Sequence, residues 1–316
     1  MPDEPVTLQD LANEMPVSPT TTSRIESVGL IGGGVMGRGL AQTLSTHGLT
    51  AIIIEKDEDR VQACLDGLSE NMDREIERWA MTAGEKKAIL SRIKVTTDIE
   101  EIQHTDFIME VVDENFALKE QIMKQVSDIV EDDTIMASVT STLSLTKIAK
   151  HIPQPERIIG LHFSNPVPKT PLCEIVRAFQ TSDETFQKTK EFVQLIGKTP
   201  VEVYEYPGFI TTRVIIPMLN EAMYVLMEGV STAEEIDTAM RLGFNFPMGP
   251  LELADSMGLE ELLVWMESLF HELGDTKYRP CPLLVRKVRE QKYGKKSGEG
   301  FFAYDGSGKR IITTEA

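Results

Sequence analysis

Basic residues are scarce in this chain of 316: 32 Lys+Arg stand against 50 Asp+Glu, a formal net charge of −18. That acidic excess argues against non-specific attachment to nucleic acid or an anionic membrane, which both need positive surface. An acidic substrate would be repelled as well, unless basic residues gather around it. Cysteine is almost missing. Cys64, Cys173 and Cys281 are odd in number and widely spaced, with no CxxC or Cys/His cluster, so reduced thiols and no metal site are expected. No apolar run approaches the roughly 20 residues that span a bilayer. The first residues lack the basic-then-apolar pattern of a signal peptide, and Asp3, Glu4, Asp10 and Glu14 do not suit a transit peptide. A cytoplasmic protein is expected.

What is present suffices for a core, since 41% of residues are hydrophobic. The length suits two domains at roughly 150 residues each. Residues 1–23, with four prolines and Thr20–Thr22, read as a flexible N-terminal arm. From there apolar strands alternate with amphipathic helices: strand 25–31, helix 35–47, strand 51–55, a long helix with Val61, Leu65, Leu68, Met72, Ile76 and Trp79 on one face, strand 107–112, helix 116–130, strand 134–138, a short helix near 145–151 and strand 158–163. Parallel strands need crossovers of this length, so the expected fold class is α/β, a Rossmann-type doubly wound, mostly parallel sheet. After Tyr206-Pro207-Gly208 the strand pattern stops, and helices are expected at 209–228, 232–242, 251–273 and 283–291. A Rossmann domain over 24–206 and a smaller all-helical C-terminal domain over 207–316 follow. The apolar faces of the latter, with Ile215, Leu219, Ala222, Met223 and Leu226, suggest a homodimer.

The first strand runs into Gly32-Gly33-Gly34-Val35-Met36-Gly37, a GxGxxG turn that opens a helix. The glycines permit the tight turn, close approach of a pyrophosphate and close packing of the helix, whose N-terminus offers NH groups to phosphate. Glu55 stands 23 residues after Gly32 at the end of the second strand. A carboxylate there accepts from ribose hydroxyls and repels a 2′-phosphate, so the expected cofactor is NAD rather than NADP. Lys56 points to the opposite face of its strand. His162 closes the strand 158–163 and falls where ligands sit in open α/β sheets, beyond the carboxyl ends of the strands. By position alone it is either a catalytic group or a histidine capping the strand.

Several motifs in order resemble the L-3-hydroxyacyl-CoA dehydrogenases, especially the bacterial 3-hydroxybutyryl-CoA dehydrogenases: VGLIGGGVMGRGLAQ (28–42), MEVVDEN with Lys119 (109–119), LHFSNPVP with Glu174, PGFITTR (207–213), PMGPLELADSMGLE (247–260) and GKKSGEGFFAY (294–304). The resemblance implies NAD-dependent oxidation of an (S)-3-hydroxyacyl-CoA and the reverse reduction. It implies His162 as general base, paired with Glu174, with Ser138 touching substrate and cofactor and Asn165 beside the nicotinamide. Glu114 and Lys119 match cofactor-contacting positions, and Lys296 matches a basic residue near coenzyme A. Each has a plainer reading: Ser138 and Asn165 as turn residues, Glu114 and Lys119 as surface charges, Glu174 as a strand-edge carboxylate. Where the family usually carries asparagine at a substrate-contacting position this chain has Thr212. Val139 and Ser164 likewise replace the usual asparagine and aromatic, so a repolarised acyl pocket is expected.

Two alternatives stand beside that reading. One is a dehydrogenase of a free hydroxy acid, like the gulonate or carnitine dehydrogenases; the other is a non-catalytic NAD-binding protein. The basic run Lys277, Arg279, Arg286, Lys287, Arg289, Lys292, Lys295 and Lys296 favours a phosphate-bearing CoA ester on so acidic a chain.

Overall fold

The computed structural model describes residues 25–311. The expected arm at 1–23 lies outside them. Eight strands form one sheet: β1 Ser27–Ile31, β2 Thr50–Ile54, β3 Ile93–Thr96, β4 Phe107–Glu110, β5 Ile135–Val139, β6 Ile158–Phe163, β7 Leu172–Arg177 and β8 Thr199–Tyr204. Their order is β3-β2-β1-β4-β5-β6-β7-β8. All neighbours are parallel except β6 and β7, which run antiparallel. The mostly parallel, doubly wound sheet is therefore as expected. β3, β7 and β8 are strands the sequence pattern missed. β3 and β8 lie at the two edges of the sheet and are only partly buried, so they lack the continuous apolar run of a central strand.

Alternation along the central strands sorts side chains onto two cores. Val28, Leu30, Ile53, Phe107 and Met109 pack under helices α1 (Val35–Thr46), α2 (Glu58–Glu77), α3 (Ala83–Leu90) and α6 (Asp183–Leu195). Ile31, Ile54, Ile108 and Met136 pack under α4 (Phe116–Ser127) and α5 (Leu145–Ala149). The long helix stops two residues short of Trp79, which has φ 58° and is 97% exposed rather than part of the apolar face. After it, Thr82 and Glu85 form a capping box that starts α3, an element absent from the sequence reading.

The second region contains α7 (Thr211–Met227), α8 (Ala233–Phe244), α9 (Pro250–Met257), α10 (Leu259–Leu273) and α11 (Pro282–Arg289), packed around Leu219, Met223, Leu251, Leu262, Met266 and Leu284. One continuous helix was expected over 251–273. Gly258, with φ +101°, breaks it into α9 and α10, because only glycine tolerates that backbone readily. The break aims the first turn of α10 at the carboxyl ends of the strands.

Candidate active site

β6 and β7 create the central pair. Their antiparallel register sets His162 directly opposite Glu174, and facing cross-strand side chains lie close enough to touch. His162 Nδ1 is 2.5 Å from Glu174 Oε2. Both residues are buried. The remaining oxygen, Oε1, accepts from the Ile210 and Thr211 backbone NH groups at 2.9 and 3.1 Å. The Thr211 hydroxyl donates to Oε2 at 2.6 Å. Burial alone would push the Glu174 pKa up. The hydrogen bonds from His162 and Thr211 and the charge of the imidazole outweigh it, and the net shift is downward. Glu174 is therefore a firm carboxylate that fixes the imidazole's orientation and offsets any positive charge the ring acquires. Phe209, 5.6 Å from the imidazole centroid to centroid, covers the ring.

The other expected site residues divide. Asn165 and Met36 line the cleft around His162, and so does Glu114. Glu114 also holds the turn after β5, accepting from the Thr140 hydroxyl at 2.6 Å and from the NH groups of Ser141 and Thr142. Thr212 is 3% exposed and lines the larger chamber of the cleft. Ser138 and Lys119 do not reach the cleft. Both are fully buried, and the Ser138 hydroxyl donates to Glu110 Oε2 at 2.6 Å. Lys119 donates to both Glu110 oxygens at 2.9 and 3.1 Å and to the Val112 and Val139 carbonyls. A buried ammonium must place all its N–H donors on acceptors, and these oxygens occupy them, which leaves no donor for a ligand. The serine that faces the cleft is Ser141. In the run Ser138-Val139-Thr140-Ser141 only the end of β5 decides which hydroxyl emerges.

The cleft itself lies between the carboxyl ends of β1, β4, β5 and β6 and the helices α7, α9 and α10. It has two chambers, of about 350 and 590 Å³, which share Met36, Ser141, His162, Phe163, Asn165, Glu261 and Trp265. A cavity of about 450 Å³ at the opposite ends of the strands is lined by Asp106, Asp133, Lys188 and Glu191 and by the exposed His104–Glu131 pair. Among the described residues no cluster of His, Cys, Asp or Glu is placed to hold a metal ion.

The glycine turn fits a dinucleotide. Gly32 has φ +110°, and a Cβ on Gly37 would lie 2.0 Å from the Gly32 carbonyl oxygen, so α1 can approach the turn only without side chains there. A Cβ on Gly34 would meet nothing within 4 Å, and this N-cap has no side chain spending the first-turn NH groups. Those are the conditions for a pyrophosphate. Glu55 Oε1 accepts from Gly33 NH at 2.7 Å, which ties the acid to the turn. Val35 follows at the exposed start of α1.

Part of the basic run is paired with acids rather than open, while Arg279 and Arg289 stay exposed. Lys296 pairs with Glu260, Lys295 with Glu252 at 3.5 Å, Lys292 with Glu299 at 2.6 Å and Lys277 with Asp275 at 2.8 Å. Lys287 donates to the Gly300 carbonyl. The acidic excess of the chain reaches into this region too. Thr211, Ser141 and Glu261 also line the cleft, and nothing in their spacing separates them from the neighbouring Thr212, Ser138 and Glu260.

Two family profiles tile the chain. One, described as 3-hydroxyacyl-CoA dehydrogenase, NAD binding domain, matches residues 27–206. The other, 3-hydroxyacyl-CoA dehydrogenase, C-terminal domain, matches 208–304. A probable 3-hydroxybutyryl-CoA dehydrogenase of Bacillus subtilis is 42% identical over 281 residues, covering 89% of this chain and 98% of that protein. The human mitochondrial hydroxyacyl-coenzyme A dehydrogenase is 36% identical, covering 89% and 91%. The crystal structure of (S)-3-hydroxybutyryl-CoA dehydrogenase PaaH1 from Ralstonia eutropha superposes with a TM-score of 0.83 at 40% identity, covering 89% of this chain and all of that one.

Proposed function

The chain belongs to the 3-hydroxyacyl-CoA dehydrogenase family, and from that premise we propose the roles of its residues and the identity of its substrate. It is an NAD-dependent oxidoreductase that interconverts an (S)-3-hydroxyacyl-CoA and the 3-ketoacyl-CoA. A short ester such as 3-hydroxybutyryl-CoA is the substrate we assign. The observation that carries the assignment is the His162–Glu174 pair, walled into the same cleft as Asn165 and Ser141.

In the oxidising direction His162 Nε2 takes the proton of the 3-hydroxyl while Nδ1 stays bonded to Glu174 Oε2. Bound NAD supplies the hydride acceptor. The Thr211 hydroxyl and the NH groups of Ile210 and Thr211 hold the carboxylate so that it cannot swing away as the ring becomes charged. Ser141 and Asn165 flank the imidazole and orient the oxygen, while Met36, Val264 and Trp265 keep water off it. The glycine turn and Glu55 bind the dinucleotide, with Glu114 shaping its nicotinamide end. In reduction the imidazolium returns the proton.

The domain division at 206/207 belongs to the same reading, as does assembly of a homodimer through the helical region. Val230, Leu242 and Phe244 there are exposed apolar side chains that support self-association. Among the described residues no helix is long and apolar enough to cross a membrane, and we place the enzyme in the cytoplasm.

Absorbance of NADH separates this function from a dehydrogenase of free hydroxy acids. Acetoacetyl-CoA should oxidise NADH and free acetoacetate should not; turnover of the free acid alone would overturn the assignment. His162→Gln should lower kcat by about 10²–10⁴, the usual worth of a general acid–base, while fluorescence still reports NADH binding.

A further inference from the structure

The connection between β6 and β7 carries Asn165 to the cleft and turns the chain so that Glu174 comes opposite His162. Pro166, Pro168 and Pro171 within it have no backbone NH, so the loop holds more acceptors than donors. The Lys169 and Thr170 NH groups are both spent on the Pro166 carbonyl, at 3.0 and 3.2 Å. The carbonyls of Val167, Thr170 and Pro171 take their donors from one distant segment. Lys198 Nζ donates to the Val167 oxygen at 2.5 Å and to the Thr170 oxygen at 2.8 Å. The Thr199 NH donates to the Pro171 carbonyl at 2.6 Å.

The turn that ends α6 aims this lysine. Gly197 takes φ +72°, and the Lys198 NH returns to the Val193 carbonyl at 3.0 Å. Lys198 is 7% exposed, and burial lowers its pKa. On its other side the loop leans on α1, with Val167 buried against Gly39, where a Cβ would come within 3.3 Å. Asn165 is itself exposed, two residues before the first clamped carbonyl.

We propose that Lys198 is a positioning residue of the dehydrogenation, its ammonium setting the β6–β7 loop so that Asn165 meets the reacting oxygen beside His162. The inference rests on the site reading above, in which Asn165 orients that oxygen, and extends it to a side chain that stays out of the cleft. One ammonium bridges two carbonyls of the same loop, which a hydroxyl with its single donor cannot do. Without it the two carbonyls turn towards water, and Asn165 moves with them.

Lys198→Met keeps the length of the side chain and removes its donors. With acetoacetyl-CoA and NADH its kcat should fall roughly tenfold to a hundredfold, the scale of a misplaced reacting group, while NADH affinity read by fluorescence stays within about twofold of wild type. A double-mutant cycle decides the role. In an Asn165→Ala background Lys198→Met should cost little more, a coupling that a lysine serving the fold alone would not show. If Lys198→Met does not fold, Lys198→Gln, shorter but with two amide hydrogens, carries the same cycle. Wild-type kcat in a folded Lys198 variant, or losses that multiply in the double variant, would overturn the inference. Undiminished turnover in Asn165→Ala would instead strike the site reading, and the inference with it.

Discussion

His162 and Glu174 are directly opposed residues of the antiparallel β6–β7 pair, joined Nδ1 to Oε2 at 2.5 Å. Twelve residues apart in sequence, they meet because the chain reverses between β6 and β7, the antiparallel step among the described strands. Their geometry is completed by α7, whose first NH groups and Thr211 hydroxyl grip the carboxylate. Docking of the helical region is thus part of assembling the acid–base pair.

Thr211→Val should therefore impair catalysis although Thr211 does not perform it. A hydrogen bond to a charged group is worth about 1.5–3 kcal/mol, so kcat should fall roughly tenfold to a hundredfold. Steady-state kinetics check this, and Thr211→Ser should recover most of the loss.

Glu174 also makes stability depend on acid. Its folded pKa lies below the ordinary carboxylate value because His162 and Thr211 outweigh burial. The stabilisation is fully present above the unfolded pKa of about 4.3 and is lost as pH falls through the lower, folded one. Urea unfolding at a series of pH values should show this loss in the wild type, and Glu174→Gln should show a shallower acid limb.

Lys119→Met should unfold the protein more readily without a direct effect on the cofactor. It strands Glu110 and the Val139 carbonyl in the interior, and breaking one side of a buried pair costs about 3–5 kcal/mol. Denaturant titration reads the cost. Restoring the ion pair's volume with apolar residues at both 110 and 119 should recover much of it.

Glu55→Ala should raise the KM for NAD and make NADP usable, since the carboxylate that would repel a 2′-phosphate is gone. It also removes the acceptor of Gly33 NH. Coenzyme kinetics with both nucleotides decide the point; an unchanged NAD-to-NADP preference would remove Glu55 from the cofactor site.

Thr212→Asn should alter acyl preference more than the chemical step. Thr212 lines the larger chamber, and among the described residues no hydrogen bond joins it to the His162–Glu174 pair. A panel of 3-hydroxyacyl-CoA esters should show kcat/KM values redistributed among chains, and an unchanged pattern would leave the repolarised pocket without support.

The sequence by itself determined the parts whose information is local. The glycine turn follows from backbone freedom and close approach at Gly32 and Gly37, and the central strands follow from continuous apolar runs buried on both faces. The placement of His162 and Asn165 follows from the end of a strand that such a pattern reveals. Tertiary structure decided what depends on neighbours far along the chain. It chose Ser141 over Ser138, because β5 ends with Ser138 still inside and bonded to Glu110. It turned Lys119 inward, where four acceptors converge from the ends of β4 and β5. It also paired Lys295 and Lys296 with acids of α9 and α10, a pairing no periodicity carries. Burial and charge are properties of assembled surfaces, and a residue's spacing names its element without naming what that element will meet.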